Sequence, residues 1–246
     1  MRRDRAHVKG RLFSGRSSAP MPARLVRPYL TEPGAGANMP NMEAKSSQGR
    51  FDRWAPRYDR SILQKLMFGP VHDAVLSAFS TFDGVPRDIL DVGCGTGRLL
   101  ELAARRWSGA RLTGIDASEA MVAEAQRKHD GDARFTFKLG DASSLPLQDA
   151  SFDVVFSTIS FHHWGDQASG VREVARVLRP TGLFVLADIS LPAPFRFRAL
   201  FGWGDRANFQ RPQAIRPLFG QASLSILMQR RFWRFSRVQL FVAQKT

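Results

Sequence analysis

Ile89-Leu90-Asp91-Val92-Gly93-Cys94-Gly95-Thr96-Gly97-Arg98-Leu99 decides the fold. A short aliphatic strand ends in an acid, three alternating glycines follow, and a leucine-rich helix begins. Glycines at this spacing let the backbone turn tightly and let a ligand approach where a Cβ would stand. The helix turns its unpaired N–H groups and the positive end of its dipole toward the loop, which suits a carboxylate or phosphate. The spacing is G-x-G-x-G rather than the G-x-G-x-x-G of dinucleotide folds, with Asp91 just ahead of the first glycine.

Further segments continue the pattern in order. Leu112-Thr113-Gly114-Ile115-Asp116-Ala117-Ser118 reads as a second strand with an acid at its end, placed to accept from both hydroxyls of a ribose. Leu139-Gly140-Asp141-Ala142 makes a turn, Ser151-Phe152-Asp153-Val154-Val155-Phe156-Ser157-Thr158 a further strand, and Leu183 to Ile189 another. Together these motifs resemble the class I S-adenosylmethionine-dependent methyltransferases, in particular the small-molecule group that includes the ubiquinone and menaquinone enzymes. The resemblance runs from about Phe51 to the C-terminus. It implies an α/β, Rossmann-like sheet of seven strands, mostly parallel with an antiparallel C-terminal hairpin and helices on both faces.

The same resemblance assigns the cofactor, S-adenosyl-L-methionine. Gly93, Gly95 and Gly97 would flank its methionine half, with Thr96 near its polar atoms, Cys94 a small filler within the same cofactor loop, and Asp91 at the strand end that faces the cleft. Asp116 and Ala117 would take the ribose, and Asp141 with Ala142 the adenine edge. Met121 either covers the adenine or is ordinary helix core. Ser157, like Asp91, Asp116 and Asp141, falls at a strand end and would converge on the same cleft. Tyr58, in the leading segment Phe51-Asp52-Arg53-Trp54-Ala55-Pro56-Arg57-Tyr58-Asp59, either faces the sulfonium, where an aromatic ring attracts a cation, or packs its helix. His162 and His163 follow the Ser157 strand and are the candidate catalytic residues. An imidazole that titrates near neutrality is a natural base, although a structural role in the cofactor shell is the stronger alternative. No metal is expected, because no further His or carboxylate sits at ligand spacing.

Charge is concentrated at the ends. Residues 1–50 carry ten Lys/Arg against three acids, residues 51–189 sixteen against eighteen, and residues 190–246 ten against one. The catalytic body is therefore slightly acidic, and the net +14 belongs to the two ends. Residues 1–48 lack any sustained period and read as a disordered basic extension, a transit segment or an over-extended start. The methyltransferase domain is expected over 49–246. The single cysteine excludes an internal disulfide, and no apolar run approaches the ~20 residues of a transmembrane helix. A cytoplasmic location is expected, with organelle targeting open for a eukaryotic source.

Helices are expected over 98–106, 118–129 and 167–178, after a helical stretch at 62–82 interrupted by Phe68-Gly69-Pro70. A helix over 211–222 and strands over 223–232 and 238–243 close the chain. Residues 190–222, aromatic and basic, fall where members of this group shape the acceptor pocket. Phe195, Phe197 and Phe201 would line it or form a peripheral membrane patch. The expected reaction is methyl transfer to a small apolar or aromatic acceptor. The alternatives are an RNA methyltransferase, suggested by the basic ends, and a catalytically silent cofactor-binding regulator. No Asn-Pro-Pro-Tyr, Asp-Pro-Pro-Tyr or Pro-Cys motif of base-modifying enzymes occurs. Pro180-Thr181-Gly182 stands where members of the group carry Pro-Gly-Gly.

Overall fold

The computed structural model describes residues 68–82, 84–189, 209–232 and 238–246. Expectations for the 1–48 extension, for the leading segment and for Phe195, Phe197 and Phe201 lie outside those residues.

Helix α1 (Gly69–Phe79) opens the described chain, with Pro70 in its first turn, where a missing N–H costs nothing. Strand β1 (Asp88–Val92) is buried along its whole length, as a strand covered on both faces must be. Then follow α2 (Arg98–Arg106), β2 (Arg111–Asp116), α3 (Glu119–Lys128) and β3 (Phe135–Leu139). Next come β4 (Phe152–Thr158), a 3-10 turn (Phe161–His163), α4 (Gln167–Val177) and β5 (Leu178–Ile189). Helix α5 (Pro212–Gln221) and the hairpin β6 (Leu224–Phe232) and β7 (Val238–Lys245) complete the domain.

The sheet order is β3-β2-β1-β4-β5-β7-β6. Strands β1 to β5 pair in parallel, and β7 slots antiparallel between β5 and β6. The expected seven-stranded sheet with its reversed hairpin is therefore present. Its strand order turns back between β1 and β4, and ligands of open α/β sheets sit beyond the carboxyl ends at such a point.

Alternation along the strands builds two cores. Ile89, Leu112, Phe156 and Val185 face α1, α2 and α3; Leu90, Val92, Val155, Phe184 and Leu186 face α4 and α5. Helices thus cover both faces, as the pattern predicts. Side chains cap both α3 and α4. Ser118 Oγ accepts from the Met121 N–H at 3.3 Å to start α3, and the Asp166 carboxylate accepts from the Ser169 N–H at 2.9 Å to start α4. At the amino ends of the strands, Arg179 bridges Asp88 and Asp153 at 2.8 and 2.6 Å. This ion-paired end lies away from the carboxyl ends that carry the motifs.

One boundary differs from expectation. Strand β5 begins at Leu178, which pairs with Phe152 before a bulge, rather than at Leu183. Within it the departure noted in the sequence has a backbone consequence: Thr181 lies at φ +64°. A β-branched residue in the left-handed region is strained by roughly 1–2 kcal/mol. Thr181→Gly should therefore raise stability by about 1 kcal/mol in urea denaturation. An unchanged or lower midpoint would show that the strain is relieved elsewhere.

Candidate functional site

The loop from β1 to α2 takes its shape from three residues in the left-handed region, Gly93, Gly95 and Gly97, at φ +77°, +52° and +81°. Gly93 is closed from behind. A Cβ there would lie 2.3 Å from Ser160 Oγ, and that hydroxyl donates to the Val92 carbonyl at 2.9 Å. Ser157 and Ser160 share a hydrogen bond of 2.9 Å. Ser157 is fully buried behind the loop rather than on its open side.

Gly95 is the contrary case, since nothing lies within 4 Å of where its Cβ would stand. The loop is tight at Gly93 and open at Gly95. Helix α2 starts from Gly97 with no side-chain cap.

Asp116, at the carboxyl end of β2, holds the loop from the side. Its Oδ2 accepts from the Gly95 N–H at 2.8 Å and its Oδ1 from the Ser118 N–H at 2.9 Å. Cys94 tucks under the loop against β2, where Gly114 makes room; a Cβ at Gly114 would lie 2.7 Å from its Sγ. Burial, followed by the charges of Asp116 and Asp91, raises the Cys94 thiol well above its ordinary range. A protonated, buried thiol is a filler, as the sequence suggests.

Asp91 is the most unusual group in this region. It is 1% exposed, and its Oδ1 has no hydrogen-bond partner. Burial first, and the neighbouring Asp116 charge second, push its carboxyl up to about 8. On α1, which packs on the same face of the sheet, His72 is also buried with an unpartnered Nδ1. Burial and then the Arg98 charge push His72 down to about 4. Two orphaned polar atoms in one layer each carry a desolvation cost of about 1–3 kcal/mol. A native fold retains such groups where something else satisfies them.

The remaining predicted residues differ in their exposure. Thr96 is buried, Ala117 is exposed, and Met121 is buried in the first turn of α3 without joining either apolar core. Asp141 is exposed, its Oδ1 accepting from the Ser143 N–H and hydroxyl at 2.8 and 2.6 Å, and Ala142 is half-buried beside it. Leu139, at the end of β3, is 54% exposed. It is a large apolar side chain left open beside the predicted adenine turn. Tyr58 lies outside the described residues.

The two candidate catalytic histidines separate. His162 is 1% exposed, whereas His163 is on the surface. The carboxylate of Asp188 near the end of β5 accepts from His162 twice, with Oδ2 on its backbone N–H and Oδ1 at Nδ1, both at 2.7 Å. Asp188 was not among the predicted site residues. Its signal was present as the one acid in the apolar run Leu183-Phe184-Val185-Leu186-Ala187-Asp188-Ile189. Among the described residues no cluster of three or more His, Cys, Asp or Glu side chains is arranged to hold a metal ion.

Residues 90–186 match a family profile described as a methyltransferase domain. Over 164 residues the chain is 32% identical to the demethylmenaquinone methyltransferase of Thermus thermophilus, covering 65% of this chain and 72% of that protein. The chain belongs to the S-adenosylmethionine-dependent methyltransferases. It is also 42% identical over 111 residues to the 27-O-demethylrifamycin SV methyltransferase of Amycolatopsis mediterranei, covering 43% of this chain and 40% of that protein. Several curated relatives are thus matched over only about two fifths of their own length. An S-adenosylmethionine-dependent methyltransferase from Aquifex aeolicus shares the fold, with a TM-score of 0.63 at 17% identity over 81% of this chain and 98% of that one.

The site of this methyltransferase fits the cofactor of its family. The unpartnered Asp91 oxygen matches an ammonium, the uncapped start of α2 a carboxylate, and the space over Gly95 the approach of the chain between them. The Asp91 proton also gives a test that needs no cofactor. Its folded-state pKa lies above its ordinary value of 3.8. Between about pH 4 and 8 the folded protein keeps a proton that the unfolded chain has released, so Asp91 lowers stability as pH rises through that window. Asp91→Asn should therefore raise the melting temperature more at pH 8 than at pH 5. Equal shifts at both pH values would mean that Asp91 is already ionised at pH 5.

Proposed function

We propose that this protein transfers the methyl group of S-adenosyl-L-methionine to a small, apolar or aromatic acceptor. The observation that carries the reading is the buried, unpartnered oxygen of Asp91 beneath a loop that is open at Gly95. A cationic amino acid moiety would relieve both features at once. Asp91 would hold the ammonium, the α2 amino terminus and Thr96 the carboxylate, Asp116 the ribose hydroxyls, and Asp141 with Ala142 the adenine edge. Leu139 and Met121 would cover the adenine faces, which accounts for a leucine left exposed at the end of a strand.

Bound there, the cofactor supplies a methyl group already activated on a sulfonium. The protein's work is to hold the acceptor in line with that methyl and to exclude water. Two named relatives support a small acceptor, a demethylmenaquinone methyltransferase and a rifamycin methyltransferase. Phe209, where the described chain resumes before α5, brings an aromatic ring to the carboxyl end of the sheet, stacked on His162 with 4.5 Å between ring centroids.

Exposed Arg211, Arg216, Arg230 and Arg231 on and around α5 and β6 support a second reading, in which RNA is the acceptor. RNA binding that falls steeply with salt would favour it, and methylation of extracted metabolites would count against it.

Calorimetry should show binding of S-adenosylmethionine by the full chain, with proton release near pH 7 as Asp91 ionises against the ammonium. Asp116→Ala should weaken that binding at least tenfold, since each hydrogen bond to a charged partner contributes about 1.5–3 kcal/mol. No heat of binding from folded wild-type protein would sink the reading.

A further inference from the structure

Arg176, in the last turn of α4, has every N–H donor of its guanidinium engaged. Nε and Nη2 each donate to one oxygen of Glu173 at 2.7 Å. Nη2 also donates to the Leu145 carbonyl at 3.0 Å, while Nη1 serves the Leu147 carbonyl at 2.8 Å and the Asp149 carboxylate at 2.6 Å. Glu173 Oε2 accepts in addition from the Leu145 N–H at 2.8 Å. The backbone of the same helix end takes the rest of the stretch. The Arg176 carbonyl accepts from the Ala150 N–H at 3.0 Å and the Val177 carbonyl from the Ser151 N–H at 2.8 Å.

All of these bonds end on positions 140–151, the connection from β3 to β4 that begins with the turn at Asp141 and Ala142. That turn is tied to the clamped part at two points. Ser144 faces Asp141 in an isolated antiparallel bridge and donates its N–H to the Asp141 carbonyl at 3.1 Å. Pro146 folds back on Gly140, where a Cβ would lie 2.9 Å from its ring. Leu145, between them, is buried in the apolar layer of α4. A partly exposed ion pair contributes little stability by its charges alone. A rigid planar fork does something more specific, because it sets the spacing of two carbonyls two residues apart.

We propose that Arg176 and Glu173 are positioning residues for the turn at Asp141 and Ala142, and that through it they determine which purine the cofactor seat accepts. The inference rests on the adenine seat proposed above and adds what makes that seat selective. A 6-aminopurine presents a donor at its amino group beside an acceptor at N1, and a 6-oxopurine reverses both. A carboxylate followed by a backbone N–H matches the first pattern and opposes the second only while both are held in register. A turn loose by about 1 Å loses that discrimination.

The test compares S-adenosylhomocysteine with S-inosylhomocysteine, which differ at position 6 of the purine, by calorimetry on the full chain. Wild type should prefer the adenine ligand about tenfold or more. Arg176→Met keeps an unbranched stem and removes every donor. It should raise the Kd of S-adenosylhomocysteine about fivefold or more and leave that of S-inosylhomocysteine within about twofold. Arg176→Lys keeps the charge beside Glu173 and Asp149 but offers one head to two carbonyls, so it should show the same selective loss. It also serves if the Met variant does not fold. In the cofactor-free protein, amide hydrogen exchange at Ser144 and Leu145 should quicken in both variants while β1 and β2 stay protected.

Equal weakening of both ligands would reveal a structural role alone, and unchanged affinities or unchanged exchange would show that the turn holds without the clamp. Each of these results overturns the proposal. So does a wild type that binds both ligands alike, since the base is then not read at this turn. Folded wild type that binds neither ligand would overturn the proposed function itself, a failure separate from one confined to the variants.

Discussion

The carboxylate of Asp116 accepts hydrogen bonds from two backbone N–H groups that belong to different elements, Gly95 in the β1–α2 loop and Ser118 at the start of α3. Much of the site follows from that one constraint. It holds the loop in its left-handed alternation, and it sets the turn whose Ser118 hydroxyl caps α3. Its charge also adds to the burial that keeps the neighbouring Asp91 and Cys94 protonated. A negative charge fixed by backbone donors needs no rearrangement when a cation or a pair of hydroxyls arrives, which is the economy of a preorganised site.

The sheet and most of its helices were legible because their signals are local and periodic. β1, β2 and β4 read as apolar runs ended by polar residues, and Ser118 announced its helix by occupying the cap position. The C-terminal hairpin was visible from alternation, and its place at the sheet edge followed from the family resemblance. The start of β5 was not legible. Leu178 pairs with Phe152 across a bulge, and a bulge depends on the partner strand rather than on local sequence.

At the candidate site, the residues proposed to hold the cofactor could be named from motif spacing, but their states could not. Asp91 differs from Asp116 only in what surrounds it. One is buried with an oxygen unpartnered, while the other is half-buried and bound to two N–H groups. Likewise His162 and His163 are adjacent in the chain, yet one is gripped in the interior and the other faces solvent. The partner that separates them, Asp188, lies 26 residues from His162 along the chain. Parallel β4 and β5 bring the two together, and no spacing rule links positions that meet only through a sheet.

The pair at the end of β5 has a further consequence, for how such a protein diversifies. The described chain leaves the sheet at Ile189, next to Asp188, and resumes at Phe209, against His162. Ile189 and Phe209, the described residues on either side of positions 190–208, are therefore moored at the same pair. Positions 190–208 contain neither member of the pair nor Phe209, so substitutions among them leave those side chains as they are. Selection can therefore act on that stretch of sequence while the machinery on β1 and β2 stays unaltered.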